Sequence, residues 1–317
     1  MKALLLDKVD KKADEILKKA GFEVENRELS QEEFAKVCGD FDAIVVRSAS
    51  KVDKAIIDAA EKLKIIVRAG VGYDNIDAKY AASKGIIVEN TPTGNTNAAA
   101  EHTLTLMMML AKHVIHGHTK LKSGVWDKKS FKGTELKGKT LGIVGFGNIG
   151  KKVSRVALAL EMKVICSDPF IDAKVMEEIG IKKVELDELI KTSDYITVHV
   201  PMTDKTRDMI SDKQFAMMKD GVRILNVARG GVINEQALEG ALNSGKVAAA
   251  ALDVYGSEPP ACKSLLASEK VICTPHLGGS TKEAQTNVAI EAADQIVAAL
   301  KDGKIMNCVN GVTKVRS

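Results

Sequence analysis

Short β-rich blocks alternate with helical patterns along most of this chain. In the first stretch the blocks fall at residues 2–6, 22–26, 43–47, 64–68 and 86–89. Between them lie segments with helical spacing near residues 11–20, 31–38, 52–62 and 77–84, several followed by glycine, as at Gly21, Gly39 and Gly85. Glycine just past a last turn adopts the left-handed conformation without steric cost and stops a helix. Five strands with helices between them predict a doubly wound parallel sheet.

The turn-rich Asn90-Thr-Pro-Thr-Gly-Asn95 then marks a boundary. A long helix is expected over residues 97–122, with Leu104, Met107, Met108, Leu110 and Ala111 as core or partner-facing residues. A second set of strands follows at 140–144, 163–167, 182–184, 195–200, 222–227, 248–252 and 271–273. Ser280-Thr-Lys-Glu283 reads as a capping box opening a helix to about residue 300. The remaining tail can only return to pack on what precedes it. The economical arrangement is a split one. Residues 1–97 plus 283–317 form one domain, and residues 98–282 form a second domain inserted into it, with a hinged cleft expected where they meet.

The most informative stretch is Thr140-Leu-Gly-Ile-Val-Gly145-Phe-Gly147-Asn-Ile-Gly150. An apolar strand runs into a G-x-G-x-x-G turn, and helical periodicity follows. The first glycine permits the turn, the second lets a pyrophosphate approach the backbone, and the third lets helix and strand pack closely. The positive end of the helix favours the pyrophosphate. A second strand ends at Asp168, placed to hold a ribose hydroxyl. Pro169 and Phe170 follow it, with no Arg or Lys to receive a 2′-phosphate, so NAD is expected over NADP.

Composition narrows the picture further. The chain has 317 residues, 45% hydrophobic and 28% charged, enough for two domains that each bury a core. Net charge is only +4 and the basic residues are scattered, which argues against a nucleic-acid partner. Five cysteines form an odd set without metal-ligand spacing, as in a reducing cytoplasm. No metal is expected. The N-terminal apolar run is too short for a signal peptide, and residues 104–110 are too few to span a bilayer.

Three polar residues stand at the ends of strands in the second set, where α/β sheets place ligands. They are Arg229, Glu258 and His276. A base, a carboxylate holding its other nitrogen and a fixed guanidinium suit hydride transfer at a hydroxyl-bearing carbon. Of the other histidines, the His113, His116 and His118 cluster lacks a carboxylate or thiol and reads as a solvated helix end. His102 and His199 read as packing or capping residues.

Several segments resemble the D-isomer-specific 2-hydroxyacid dehydrogenases. They are Val45-Val-Arg-Ser48, Arg68-Ala-Gly-Val-Gly-Tyr-Asp-Asn-Ile-Asp77, residues 90–95, Gly133-Thr-Glu-Leu-Lys-Gly-Lys-Thr140, the glycine loop, Leu225-Asn-Val-Ala-Arg-Gly-Gly231, residues 253–259 and Pro275-His-Leu-Gly-Gly279. The likeness spans the chain in order and is strongest to members acting on D-3-phosphoglycerate, in a short form without a regulatory C-terminal domain. It implies a Rossmann dinucleotide domain inserted into a flavodoxin-like substrate domain, with Arg229, Glu258 and His276 as the catalytic set. It further implies substrate contacts at Arg47, Arg68, Gly70, Val71, Gly72 and Asn95, with Arg47 on the phosphate and the Gly70–Gly72 amides on the carboxylate. NAD contacts would include Val71, Val200, Val227, Ala228, Asp253, Gly278 and Gly279, with Asn148 and Ile149 lining the pyrophosphate. A homodimer is implied, with Lys128, after Trp126, reaching a neighbouring subunit's site. The expected reaction is NAD-dependent oxidation of D-3-phosphoglycerate to 3-phosphohydroxypyruvate, the first step of serine synthesis. Glyoxylate or hydroxypyruvate reduction, the same chemistry on another D-2-hydroxy acid, and an NAD-sensing corepressor are the alternatives.

Overall fold

The structure, a computed structural model, describes residues 1–316. Residues 1–96 with 279–316 form one compact unit, and Asn97–Gly278 the other.

The first unit holds β1 (Lys2–Leu5), β2 (Glu23–Asn26), β3 (Ala43–Val46), β4 (Ile65–Arg68) and β5 (Ile87–Asn90). All pair in parallel, in the order β2-β1-β3-β4-β5. Successive residues of a strand point to opposite faces. Ala3, Leu5, Val45, Ile65, Val67 and Ile87 therefore join one buried cluster, while Leu4, Ile44, Val46, Ile66 and Val88 join another. Helices cover both faces, which is why the strands read as unbroken apolar runs. The helix Lys282–Asp302 closes the first face through Val288, Ala289, Ala292, Ala293, Ile296 and Ala299.

The second unit holds β6 (Thr140–Val144), β7 (Lys163–Ser167), β8 (Lys182–Lys183), β9 (Tyr195–Val198), β10 (Val222–Asn226), β11 (Val247–Leu252) and β12 (Val271–Cys273). Their parallel order is β12-β11-β10-β9-β6-β7-β8. Counted from β6, this is the doubly wound Rossmann order with one further strand; the first unit has the flavodoxin order. The strand order reverses between β6 and β9 in the second sheet, and between β1 and β3 in the first. Ligands of such sheets bind beyond the strand ends at these reversals. None of the helices among the described residues is long and apolar enough to cross a membrane.

Two local expectations are corrected. The single helix expected over residues 97–122 is two, Thr96–Lys112 and Val114–Lys122, with His113 left-handed at φ 52° between them. Ala111 spends its carbonyl on the Thr134 amide at 2.8 Å instead of on the next turn, and any side chain at Gly133 would strike that carbonyl. The last helix is capped by Thr281, whose hydroxyl accepts from the Ala284 amide at 3.1 Å. The cap thus falls one residue later than Ser280.

Candidate active site

The glycine loop follows β6, at the reversal of the second sheet. Gly145 has φ 98°, and a Cβ there would come within 2.6 Å of the His199 carbonyl and 2.9 Å of Val200 Cγ1. A Cβ at Gly150 would meet the Gly145 carbonyl at 2.3 Å, so only glycine lets the helix Asn148–Ala159 start this close to the strand. A Cβ at Gly147, by contrast, would meet open space, and no side chain caps this helix. A dinucleotide pyrophosphate fits that end, where backbone N–H groups and the helix dipole favour an anion. The Asp168 carboxylate accepts from the Phe146 amide at 2.7 Å and the Phe170 amide at 2.8 Å. Those bonds aim the carboxylate at the loop and leave lone pairs for ribose hydroxyls.

Glu258 and His276 come from two loops beyond β11 and β12. The His276 Nδ1 lies 2.8 Å and 3.0 Å from the two Glu258 carboxylate oxygens. An ionised carboxylate only accepts, so Nδ1 carries the hydrogen and, in the neutral ring, Nε2 is left as the accepting nitrogen. Both side chains remain accessible, at 45% and 42% exposure, as proton transfer to a substrate requires.

His276 is held in a left-handed conformation, φ 55°, which costs a residue other than glycine about 1–3 kcal/mol. Asp253 supplies the compensation. Its carbonyl accepts from the His276 amide at 2.9 Å, its Oδ1 from Leu277 at 2.7 Å and its Oδ2 from Gly278 at 2.8 Å. Three successive amides thus converge on one buried residue. Burial pushes the Asp253 carboxyl upward, but hydrogen bonds from His102, Thr274, Leu277 and Gly278 outweigh it. The group stays below its ordinary pKa.

Arg229 follows β10. Its Nη1 donates to the Ala228 carbonyl at 2.5 Å, and the buried Asn226 side chain ties the turn by bonding both the Arg229 carbonyl and the Ala228 amide. Val227 packs against the Gly278 position. In the first unit, Arg47 follows β3 at that sheet's own reversal. Asp7 receives the Arg47 amide at 2.8 Å, the Ser50 amide at 3.1 Å and the Ser50 hydroxyl at 2.6 Å. Asn75 donates to the Arg47 and Ser50 carbonyls from the other side. Arg68 Nη1 donates to the Ala69 carbonyl at 2.6 Å and lies over Gly70. The Gly70 and Val71 carbonyls are taken by Thr91 and Asn90, which fixes the loop through Gly72. The Asn95 side chain lies against Gly279, and Lys128 sits in an exposed segment beside Trp126.

The profile described as D-isomer specific 2-hydroxyacid dehydrogenase, NAD binding domain, matches residues 104–278. The chain belongs to this family. D-3-phosphoglycerate dehydrogenase of Archaeoglobus fulgidus is 46% identical over 312 residues, covering 98% of this chain and 59% of the relative. Hydroxypyruvate reductase of Thermotoga maritima is 47% identical over 298 residues, covering 93% of this chain and 96% of the relative. The NAD+-bound 3-phosphoglycerate dehydrogenase of Entamoeba histolytica superposes with a TM-score of 0.84 at 32% identity, covering 98% of both chains. The chain therefore spans somewhat over half the length of its phosphoglycerate-dehydrogenase relative from Archaeoglobus and nearly all of its hydroxypyruvate-reductase relative.

Within the family's NAD binding domain, further residues take part beyond Arg229, Glu258 and His276. Asn226 is a polar residue closing an apolar strand, a signal that was available. His102 lies mid-helix among apolar residues and reads as packing, yet its Nε2 is 3.1 Å from the Thr274 hydroxyl and 3.3 Å from Asp253 Oδ1. His199 leaves the end of β9 with its Nδ1 buried and unpartnered among the described residues, and burial pushes its pKa down to about 4. His113 and His116 pack with Phe131, and His116 bonds the Glu269 carbonyl.

Proposed function

We propose that this chain oxidises D-3-phosphoglycerate to 3-phosphohydroxypyruvate with NAD. The observation that carries the reading is the bidentate Glu258–His276 contact in the unit that bears the glycine fingerprint. When bound, NAD supplies the hydride acceptor. The pyrophosphate belongs at the Gly147 turn and the ribose at Asp168. His276 Nε2 takes the substrate hydroxyl proton, and the Glu258 carboxylate holds the imidazolium that results. Arg229 steadies the oxygen on which charge develops. From the first unit, the Gly70–Gly72 segment offers backbone amides to the substrate carboxylate, and Arg47 forks onto the phosphate.

Support for the phosphorylated substrate comes from Arg47 lying at the first sheet's strand reversal, beside Ser48, in a loop locked by Asp7 and Asn75. A second reading, reduction of hydroxypyruvate, is favoured by the end-to-end match with the Thermotoga relative. The two separate in one assay. Purified chain with NAD should form NADH on adding D-3-phosphoglycerate at alkaline pH, and far less with D-glycerate. Equal or faster turnover of the unphosphorylated pair selects the second reading, and no turnover of any D-2-hydroxy acid sinks both.

The working form is proposed to be a cytoplasmic homodimer. Val114, Ile115, Leu121, Val125 and Trp126, the last 82% exposed, crowd one segment of the NAD binding domain. All five cysteines are free thiols, as a reducing compartment keeps them. Lys128 lies in the same segment and is the candidate to reach a neighbouring subunit's substrate.

A further inference from the structure

His102 stands in the helix Thr96–Lys112, more than 100 residues in sequence from Arg229, Glu258 and His276. Its contacts set up a chain of hydrogen bonds whose polarity can be read from chemistry alone. Asp253 is buried, its pKa is lowered, and it therefore only accepts. The Thr274 hydroxyl has one hydrogen, and at 2.6 Å from Asp253 Oδ1 it must donate it there. The same oxygen can then only accept from His102 Nε2, 3.1 Å away. His102 thus carries its hydrogen on Nε2 and points it at Thr274 and at Asp253 Oδ1 together.

Asp253 Oδ1 now has three donors: Thr274, Leu277 and His102. Thr274 opens the loop that the carboxylate holds, directly after β12, whereas His102 comes from a separate helix. Without His102, the bonds from Thr274, Leu277 and Gly278 all come from that one loop, and the carboxylate could shift with it. His276 sits one residue before those amides, in a backbone conformation that its surroundings must enforce. The side-chain direction of His276, and hence its contact with Glu258, depends on that enforcement. A buried polar network of this kind specifies one geometry only when every member is satisfied.

We propose that His102, acting with Thr274 through Asp253, is a positioning residue for the catalytic histidine. It touches neither substrate nor cofactor in this scheme. It anchors the carboxylate that keeps residues 276–278 in register, so that Nδ1 of His276 faces Glu258 and Nε2 faces outward. The inference rests on the reading of His276 as the base.

The test compares His102→Leu, His102→Gln and Thr274→Val with the unaltered enzyme. Gln keeps an N–H donor at similar reach, whereas Leu keeps only bulk. His102→Leu and Thr274→Val should lower kcat by about 10- to 100-fold, the cost of a small misplacement of a reacting group, while NAD affinity changes by less than about twofold. His102→Gln should recover most of the lost kcat. Nitrogen-15 spectra give a readout independent of turnover: His276 should be a single Nδ1–H tautomer in the parent and His102→Gln proteins, and a mixture in His102→Leu. Normal kcat and an unmixed tautomer in His102→Leu would overturn the proposal, as would equal losses in the Leu and Gln variants. His276→Ala serves as the control. If it abolishes turnover while His102→Leu is normal, only the positioning role fails. If it retains turnover, the premise fails with it.

Discussion

Two aspartates, Asp253 and Asp7, do related work in the two units and are built differently. Each follows or ends a parallel strand and gathers backbone amides of a loop that presents a functional side chain. Asp253 is fully buried and receives three consecutive amides, a threonine hydroxyl and a histidine. Asp7 is only half-buried, is itself left-handed at φ 60°, and receives two amides, a serine hydroxyl and, on its carbonyl at 3.4 Å, the Arg47 guanidinium. The strained residue in the first case is the presented one, His276; in the second it is the aspartate. In the proposed reaction His276 is a proton-transfer base, which must be aimed, and its bent backbone would aim it. A phosphate-binding arginine has a long stem and needs only a fixed root. The comparison predicts that damage at Asp253 is read in kcat and damage at Asp7 in KM.

The largest effect belongs to the aimed side chain itself. His276→Ala should lower kcat by about 10³-fold or more, the scale of lost general base catalysis, with NAD binding intact by fluorescence titration. Parallel loss of NAD binding would make His276 structural. Next comes the pair of aspartates. Asp253→Ala leaves two or more buried donors without a partner and should cost about 2–4 kcal/mol in urea unfolding, together with a fall in kcat. Asp7→Ala should leave kcat within about threefold and raise KM for a phosphorylated substrate about tenfold, the worth of one charge-assisted contact. An Asp7 variant that fails in kcat instead would break the distinction.

The smallest effect is electrostatic and lies at the end of β9. His199 has its folded pKa pushed down to about 4 by burial, against about 6.5 in an unfolded chain. Between those values the unfolded state binds more protons, so stability falls as pH drops from about 6.5 toward 4 and is unaffected above that window. His199→Gln should flatten this limb by roughly 2–3 kcal/mol at most, measured as unfolding free energy at pH 7 and pH 4.5. An unchanged limb would place the acid sensitivity elsewhere.

Both sheets were legible in the chain because strands buried on two faces leave unbroken apolar runs, and because glycines mark where helix and strand approach closely. The break at His113 was not. It depends on Gly133 and Thr134 returning to take the Ala111 carbonyl, a contact between segments with no local signature. The candidate site divides the same way. Arg229, Glu258 and His276 could be picked out as polar residues at strand ends. His102, Thr274, Asp7 and Asn75 could not, since each acts by satisfying another residue's backbone or carboxylate. Such roles exist only once the chain has folded and the partners are named.

The proposed substrate depends on the link between Arg47 and the phosphate. The direct measurement is the ratio of kcat/KM for D-3-phosphoglycerate over D-glycerate, in the parent chain and in Arg47→Ala. The ratio should be large in the parent and fall about 10- to 100-fold in the variant, through KM for the phosphorylated substrate alone. A parent ratio near or below one, or an equal loss on both substrates in Arg47→Ala, would contradict it.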